Sequence, residues 1–125
     1  MSTLKVANIL DASGGTSNLS VPGAAKAWVN FNGTGTVAIR DDFNVSSLTD
    51  NGTGDYTVTF SNALTDANYS VIGSGWYNVG GFTGPAPICA DSYATSSVSL
   101  LQWYMTGTVN QGPIDGLYNN IAITR

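Results

Sequence analysis

The chain has 125 residues and a mass of 13.0 kDa, enough for one domain and a short arm but not for two domains. Its eight acidic residues are all Asp, it has no Glu and no His, and four cations (Lys5, Lys26, Arg40, Arg125) leave a net charge of −4. Histidine-based catalysis and histidine-ligated zinc are thereby excluded, and four scattered cations do not make a nucleic-acid interface. No cofactor is implied, and an enzyme is not expected, because most general acid–base designs need the missing residue types.

Gly, Ser, Thr and Asn make up 54 of the 125 residues, whereas Glu, Lys, Gln and Arg are nearly absent. Small polar residues favour turns over helix interiors. Three Trp, six Tyr and four Phe are too many for a disordered tract and suit a pleated, half-buried surface. The composition predicts an all-β domain.

Residues 1–24 read as an N-terminal docking arm: Leu4, Val6 and Ile9 could form one strand, Asp11–Asn18 is polar, and Val21-Pro-Gly23 is a turn. The opening ten residues do not read as a signal peptide and no apolar run reaches the ~18 residues of a membrane span, so folding in a cytosol is expected, with no membrane insertion. The five Asn-x-Ser/Thr sequons, at Asn18, Asn32, Asn44, Asn51 and Asn68, are therefore taken as chance products of an Asn- and Thr-rich sequence.

From Ala25 onwards the alternation is regular, and residues 25–125 are expected to form the domain. Ala27, Val29 and Phe31 point one way, and Trp28 and Asn30 the other. Asn32–Gly35 turns the chain, Val37 and Ile39 continue a second strand into Arg40-Asp41-Asp42, and Val45–Thr49 forms a third. Asp50-Asn-Gly-Thr-Gly-Asp55 is a hairpin signal, since Asn-Gly readily supplies positive φ. Tyr56, Val58 and Phe60 then alternate with Asp55, Thr57 and Thr59, giving a strand with one wet face. Further strands are predicted at Tyr69–Trp76, Ile88–Tyr93, Val98–Met105 and Tyr118–Thr124. About eight short strands with Gly- and Asn-rich turns specify an antiparallel β-sandwich or jelly-roll-like domain. Segments 78–87 and 106–116 are too long for tight hairpins and read as binding loops on that scaffold.

Gly33-Thr-Gly35-Thr-Val-Ala38 matches a dinucleotide fingerprint, but strand alternation follows it where a helix is required, so it is a turn. Asp41 and Asp42, adjacent on a strand, face opposite ways and cannot pair as acid and base. Asp50 and Asp55 flank a hairpin without the spacing of a calcium loop, and no metal site is assigned. Cys89, between Ile88 and Ala90, reads as a small buried apolar residue.

The aromatic doublets Trp76-Tyr77 and Trp103-Tyr104 are more informative. On a strand, one member of each enters the core and the other lies outside; Trp28 beside Val29 poses the same problem. Rings of 150–250 Å² left outside need cover from loops of the same chain, from a subunit interface, or from a sugar stacked on them. Trp28, Trp76, Tyr77, Phe82, Trp103 and Tyr104 are the candidate partner- or receptor-binding residues.

The stretch Ala25–Phe60 (AKAWVNFNGTGTVAIRDDFNVSSLTDNGTGDYTVTF), with Asp66-Ala-Asn-Tyr-Ser-Val71, resembles a segment of tail-fibre-like virion proteins of bacteriophages, especially phages of marine cyanobacteria. Met1-Ser-Thr-Leu-Lys-Val6 and Ile121-Ala-Ile-Thr-Arg125 fit the same pattern. The resemblance implies a virion structural domain, commonly trimeric, used in host attachment, and it transfers no catalytic residues. The expected partners are other copies of the chain in a homotrimer, other virion proteins through residues 1–24, and a host-surface glycan or protein. Such domains also decorate heads, and a free carbohydrate-binding module is the alternative outside the virion. With no repetitive shaft, the chain is expected to be a compact tip, an adaptor or a small appendage.

Overall fold

A computed structural model describes residues 24–106 and 110–125. All regular structure among them is extended: β1 (Ala25–Asn32), β2 (Ala38–Phe43), β3 (Val45–Gly52), β4 (Asp55–Phe60), β5 (Ser70–Val79), β6 (Phe82–Pro85), β7 (Ile88–Tyr93), β8 (Ser97–Thr106), β9 (Asn110–Pro113) and β10 (Tyr118–Thr124). No helix among the described residues is long and apolar enough to cross a membrane. All but Ala24 of the expected arm 1–24 lies outside the described residues, as does the connection 107–109.

The strands form two antiparallel sheets packed face to face, a β-sandwich. Sheet A has the order β2-β1-β10-β5-β6 and sheet B the order β3-β4-β8-β7, with β9 paired to β8. Alternation decides which residues meet between them. Ala27, Val29 and Phe31 of β1 and Ile121 and Ile123 of β10 face Tyr56, Val58 and Phe60 of β4 and Val98 and Leu100 of β8. The Phe31 and Tyr56 rings meet edge to face at 5.1 Å, a geometry that aligns ring edge with ring face. The expected one-faced strand at Tyr56–Phe60 is present: Tyr56, Val58 and Phe60 are buried, and Thr57 and Thr59 are only half-covered.

The chain passes from sheet A to sheet B between β2 and β3 at Asn44, whose φ of 57° is held by its own side chain. Asn44 Nδ2 donates to the Lys26 carbonyl at 3.0 Å and the Asn62 carbonyl at 3.1 Å, and Oδ1 accepts from the Asn62 amide at 2.8 Å. Asn tolerates the left-handed region better than other side chains do. Edge strand β2 is mostly exposed and carries Arg40, Asp41 and Asp42, charges that discourage edge-to-edge pairing.

The structure corrects three expectations. Segments 78–87 and 106–116 are not open loops, because each contributes a strand to a hairpin, β6 and β9. β5 runs on to Val79 and turns through Gly80 and Gly81, at φ 61° and 83°. Two successive residues at positive φ make the tight turn that matches strand twist, so this hairpin needs only two connecting residues. The hairpin expected at 50–55 is present, with positive φ at Gly52 of the Asn51-Gly52 pair and at Gly54. Cys89 is exposed, because Ile88 and Ala90 take the inward positions of β7 and alternation sends Cys89 out. The segment Gly33–Ala38 is a bend entering β2, as its alternation predicted.

Candidate functional site

Two surfaces gather most of the exposed rings, and a buried polar cluster sets the position of one of them. The cluster lies where β8 passes from β4 to β9. The Gln102 amide donates to the Gly54 carbonyl at 2.7 Å, and the Gln102 carbonyl accepts from Ile114 at 3.2 Å, so along β8 the start of β4 gives way to the end of β9. The Gln102 and Asn119 side chains are fully buried. Gln102 Nε2 donates to Asn119 Oδ1 at 2.7 Å and to the Ala86 carbonyl at 3.1 Å, and Oε1 accepts from the Gly116 amide at 2.9 Å. Asn119 Nδ2 donates to the Gly116 carbonyl at 2.9 Å, which also accepts from Gly33 at 2.8 Å. Among the described residues no buried side-chain polar atom is left without a partner. Because a buried amide is tolerated only when satisfied, this cluster pins segment 114–117 between the sheets.

Asp115 extends the cluster outward. Its Oδ1 accepts from the Tyr56 hydroxyl and the Gly54 amide, both at 2.8 Å. Burial first, then donation to Asp115, then the charges of Asp115 and Asp50 hold the Tyr56 phenol well above the ordinary tyrosine range. The folded protein therefore keeps a proton that the unfolded chain gives up near pH ~10, and the stability this represents is complete below that pH and lost above it. Urea unfolding from about pH 9 to 12 is expected to show stability falling by up to about 1.4 kcal/mol per pH unit from this group. Tyr69, raised mainly by burial, steepens the fall further. Tyr56→Phe should flatten the slope; an unchanged slope would assign the alkaline loss to other groups.

Beyond the cluster, the β5–β6 and β8–β9 hairpins face each other as two alike jaws. In one, Trp76 pairs with Pro85 and Tyr77 with Gly84; in the other, Trp103 pairs with Pro113 and Tyr104 with Gly112. The residue after each Pro turns back onto the strand before each Trp: the Ala86 amide donates to the Gly75 carbonyl, and the Ile114 amide to the Gln102 carbonyl. Each Tyr lies over its Gly, where a Cβ would stand 3.0 Å from the Tyr77 ring and 3.3 Å from the Tyr104 ring. Tyr77, Ala86 and Ile114 form a small second core against which Tyr104 packs. The Tyr77 and Tyr104 rings meet at 6.1 Å and 51°. The signal for this quasi-repeat, Trp-Tyr followed by Gly-Pro (76-77 and 84-85, 103-104 and 112-113), stands in the sequence; reading each doublet only for which ring was buried missed it.

Between the jaws opens a cleft of about 720 Å³. Tyr77 and Tyr104 form its floor, Phe82 and Val79 stand at one lip, and Thr34, Thr53 and Asp115 supply its polar groups. This volume falls within the range of small-molecule sites. Among the described residues, no Lys or Arg lines it.

The second surface is the outer face of sheet A. Register places Phe43, Trp28, Ala122 and Ile72 side by side across β2, β1, β10 and β5. Asp41, Asn30, Asn120 and Ser74 form the next row, in which Asn30 Nδ2 donates to Asn120 Oδ1. Tyr118, Trp76 and Pro85 form a third, with the Arg40 guanidinium 4.7 Å over the Tyr118 ring. Two apolar bands thus flank a polar one. Phe43, Ile72, Trp76 and Tyr118 are all more than two-fifths exposed, and a shallow groove of about 360 Å³ runs over Trp28, Asn30 and Ile72.

The six sequence candidates therefore separate. Tyr77, Phe82 and Tyr104 share the cleft, Trp28 and Trp76 lie on the outer face of sheet A, and Trp103 lies exposed on the outer face of β8. Phe43, Ile72 and Tyr118 were missed, although the alternation of their strands was visible. Asp50 Oδ1 accepts from the Gly52 amide and Asp55 Oδ1 from Asn51 Nδ2, so both carboxylates hold their own hairpin. Among the described residues no group of three or more Cys and Asp side chains could hold a metal ion. No protein-family model matches the chain, and no curated protein or solved structure does either.

Proposed function

We propose that this chain is a structural domain of a bacteriophage virion, tail-fibre-like, that assembles as a homotrimer and contributes to host attachment or to building the fibre or appendage. It folds in the host cytoplasm and is carried on the particle, with head decoration as the alternative placement. The resemblance of residues 25–71 to tail-fibre-like proteins supports the virion setting. One observation carries the self-association: the banded outer face of sheet A. At about half exposure Phe43, Ile72, Trp76 and Tyr118 leave roughly 300–500 Å² of apolar surface in contact with water, the size of patch that marks an interaction site on a soluble protein. The polar band of Asp41, Asn30, Asn120 and Ser74 fixes register between copies, because a shifted copy would cover those groups without partners.

Peptides of this chain are expected in mass spectra of purified particles of a phage that encodes it, and their absence would overturn the virion reading. Sedimentation at about 10 µM, a concentration that specific assemblies readily saturate, is expected to give three times the 13.0 kDa of one chain. Ile72→Asp, at a position 63% exposed, should give a folded monomer by circular dichroism and sedimentation. A wild-type monomer, or a trimer indifferent to Ile72→Asp, would remove sheet A as the interface.

A further inference from the structure

The two-jawed cleft has a chemistry that selects a ligand class. Its floor is rigid before anything binds, because Tyr77 and Tyr104 each lie against the backbone of a neighbouring Gly and against each other. Such preorganisation spares the ligand the cost of ordering the site. The rings meet at 6.1 Å and are tilted by 51°, leaving no slot for an ammonium group between them but offering a concave apolar seat. Phe82, at the lip, is 71% exposed, an uncovered ring beside an open volume.

The polar fittings stand around this seat. The Thr34 hydroxyl donates to Asn32 Oδ1 at 2.8 Å, so its lone pairs remain to accept. Thr53 adds a hydroxyl that can donate or accept. Both hydrogen bonds to Asp115 fall on Oδ1, leaving Oδ2 as an acceptor. A ligand that suits this arrangement has an apolar face and a rim of hydroxyls, which describes a pyranose ring. Charge narrows the choice: among the described residues the cleft is lined by one carboxylate and no cation, so an acidic sugar is repelled and an amine attracted.

We propose that the cleft between the β5–β6 and β8–β9 hairpins binds a neutral or amino-bearing saccharide, stacked on Tyr77, Tyr104 and Phe82 and hydrogen-bonded by Thr34, Thr53 and Asp115. The inference gives substance to the attachment half of the proposed function, which it rests on. The two fail separately, since particle composition and oligomeric state are measured without sugar and on a different surface.

The test is a titration of the ¹⁵N-labelled full chain with maltotriose, cellotriose, chitotriose, triglucosamine and tri-galacturonate, each to ~10 mM, which exposes millimolar binding. At least one of the first four is expected to shift the amide signals of Tyr77, Phe82, Tyr104 and Asp115, and tri-galacturonate to shift none of them. Phe82→Ala, which removes an aromatic contact at an exposed position, should weaken binding about tenfold. Ile72→Asp should leave binding unchanged. Silence from all four neutral and amino sugars, a preference for tri-galacturonate, or a Phe82→Ala variant that binds like wild type would each overturn the proposal.

Discussion

Gln102→Leu is expected to remove about 4 kcal/mol of folding stability, a large share of what a domain of this size possesses. The volume changes little, so the loss comes from what the amide leaves behind. Asn119 Oδ1, the Ala86 carbonyl and the Gly116 amide each lose a partner in a region closed to water, and each stranded group costs about 1–3 kcal/mol. The midpoint of thermal unfolding should fall by roughly 10–20 °C. Asn119→Leu added to Gln102→Leu should cost much less than the two single changes summed, because the groups share their bonds. Strict additivity, or a loss below about 1 kcal/mol for Gln102→Leu, would mean that water enters the cluster and replaces the amide.

Gly75→Ala is expected to be nearly as damaging, for the opposite reason: it adds one methyl group where there is no room. A Cβ on Gly75 would stand 2.1 Å from Gln102 Nε2, 2.5 Å from the Ala86 carbonyl oxygen and 2.9 Å from Asn119 Oδ1. Gln102 cannot swing aside without breaking its bonds, and Ala86 is tied to Gly75 itself through the 2.9 Å bond to its carbonyl. The cost is expected to reach about 3 kcal/mol, at the upper end of the overpacking range. Gly80→Ala meets no heavy atom within 4 Å but sits at φ 61°, so it should cost only about 1 kcal/mol through backbone strain. Urea unfolding of the two variants separates crowding from conformational cost, and equal losses would contradict this account.

The sandwich was legible because its signal is local. The period of two in Ala27–Phe31, Tyr56–Phe60 and Tyr118–Thr124 reports which face is wet, and β7 and β10 have the expected boundaries. β6 and β9 were not legible as strands. At four residues each, rich in Gly and Pro, they lack the β-branched content that marks a strand, and they are extended because a longer partner, β5 or β8, supplies the pairing. Cys89 was misplaced for a related reason: two apolar neighbours suggest a buried run, but on an edge strand they are the inward residues of an alternation.

The candidate site was half-visible. The sequence marked Tyr77, Phe82 and Tyr104 as bulky rings in search of cover, but their meeting depends on contacts between residues 27 positions apart, Tyr77 and Tyr104, which no local pattern encodes. Gln102 and Asn119 carried no signal, since an isolated Gln or Asn in a strand reads as solvent-facing. Only the junction of β4, β8 and β9 brings their amides together and makes them internal. Trp28 was placed opposite Ala27, Val29 and Phe31, and either Trp76 or Tyr77 was expected outside, but the banding that gives Trp28 and Trp76 a shared surface comes from register across five strands.

The doubled Trp-Tyr and Gly-Pro frame bears on how such a protein can change. Each jaw is rooted at its base by a ring stacked on glycine and by a backbone bond just past the proline, whereas the β5–β6 apex at Gly80 and Gly81 has open space where side chains would stand. Residues 79–82 can therefore be exchanged, lengthened or shortened without unsettling the hinge of that jaw. A population of variants could sample new grips while inheriting one unchanged handle, and the price of novelty would be confined to the fingertips.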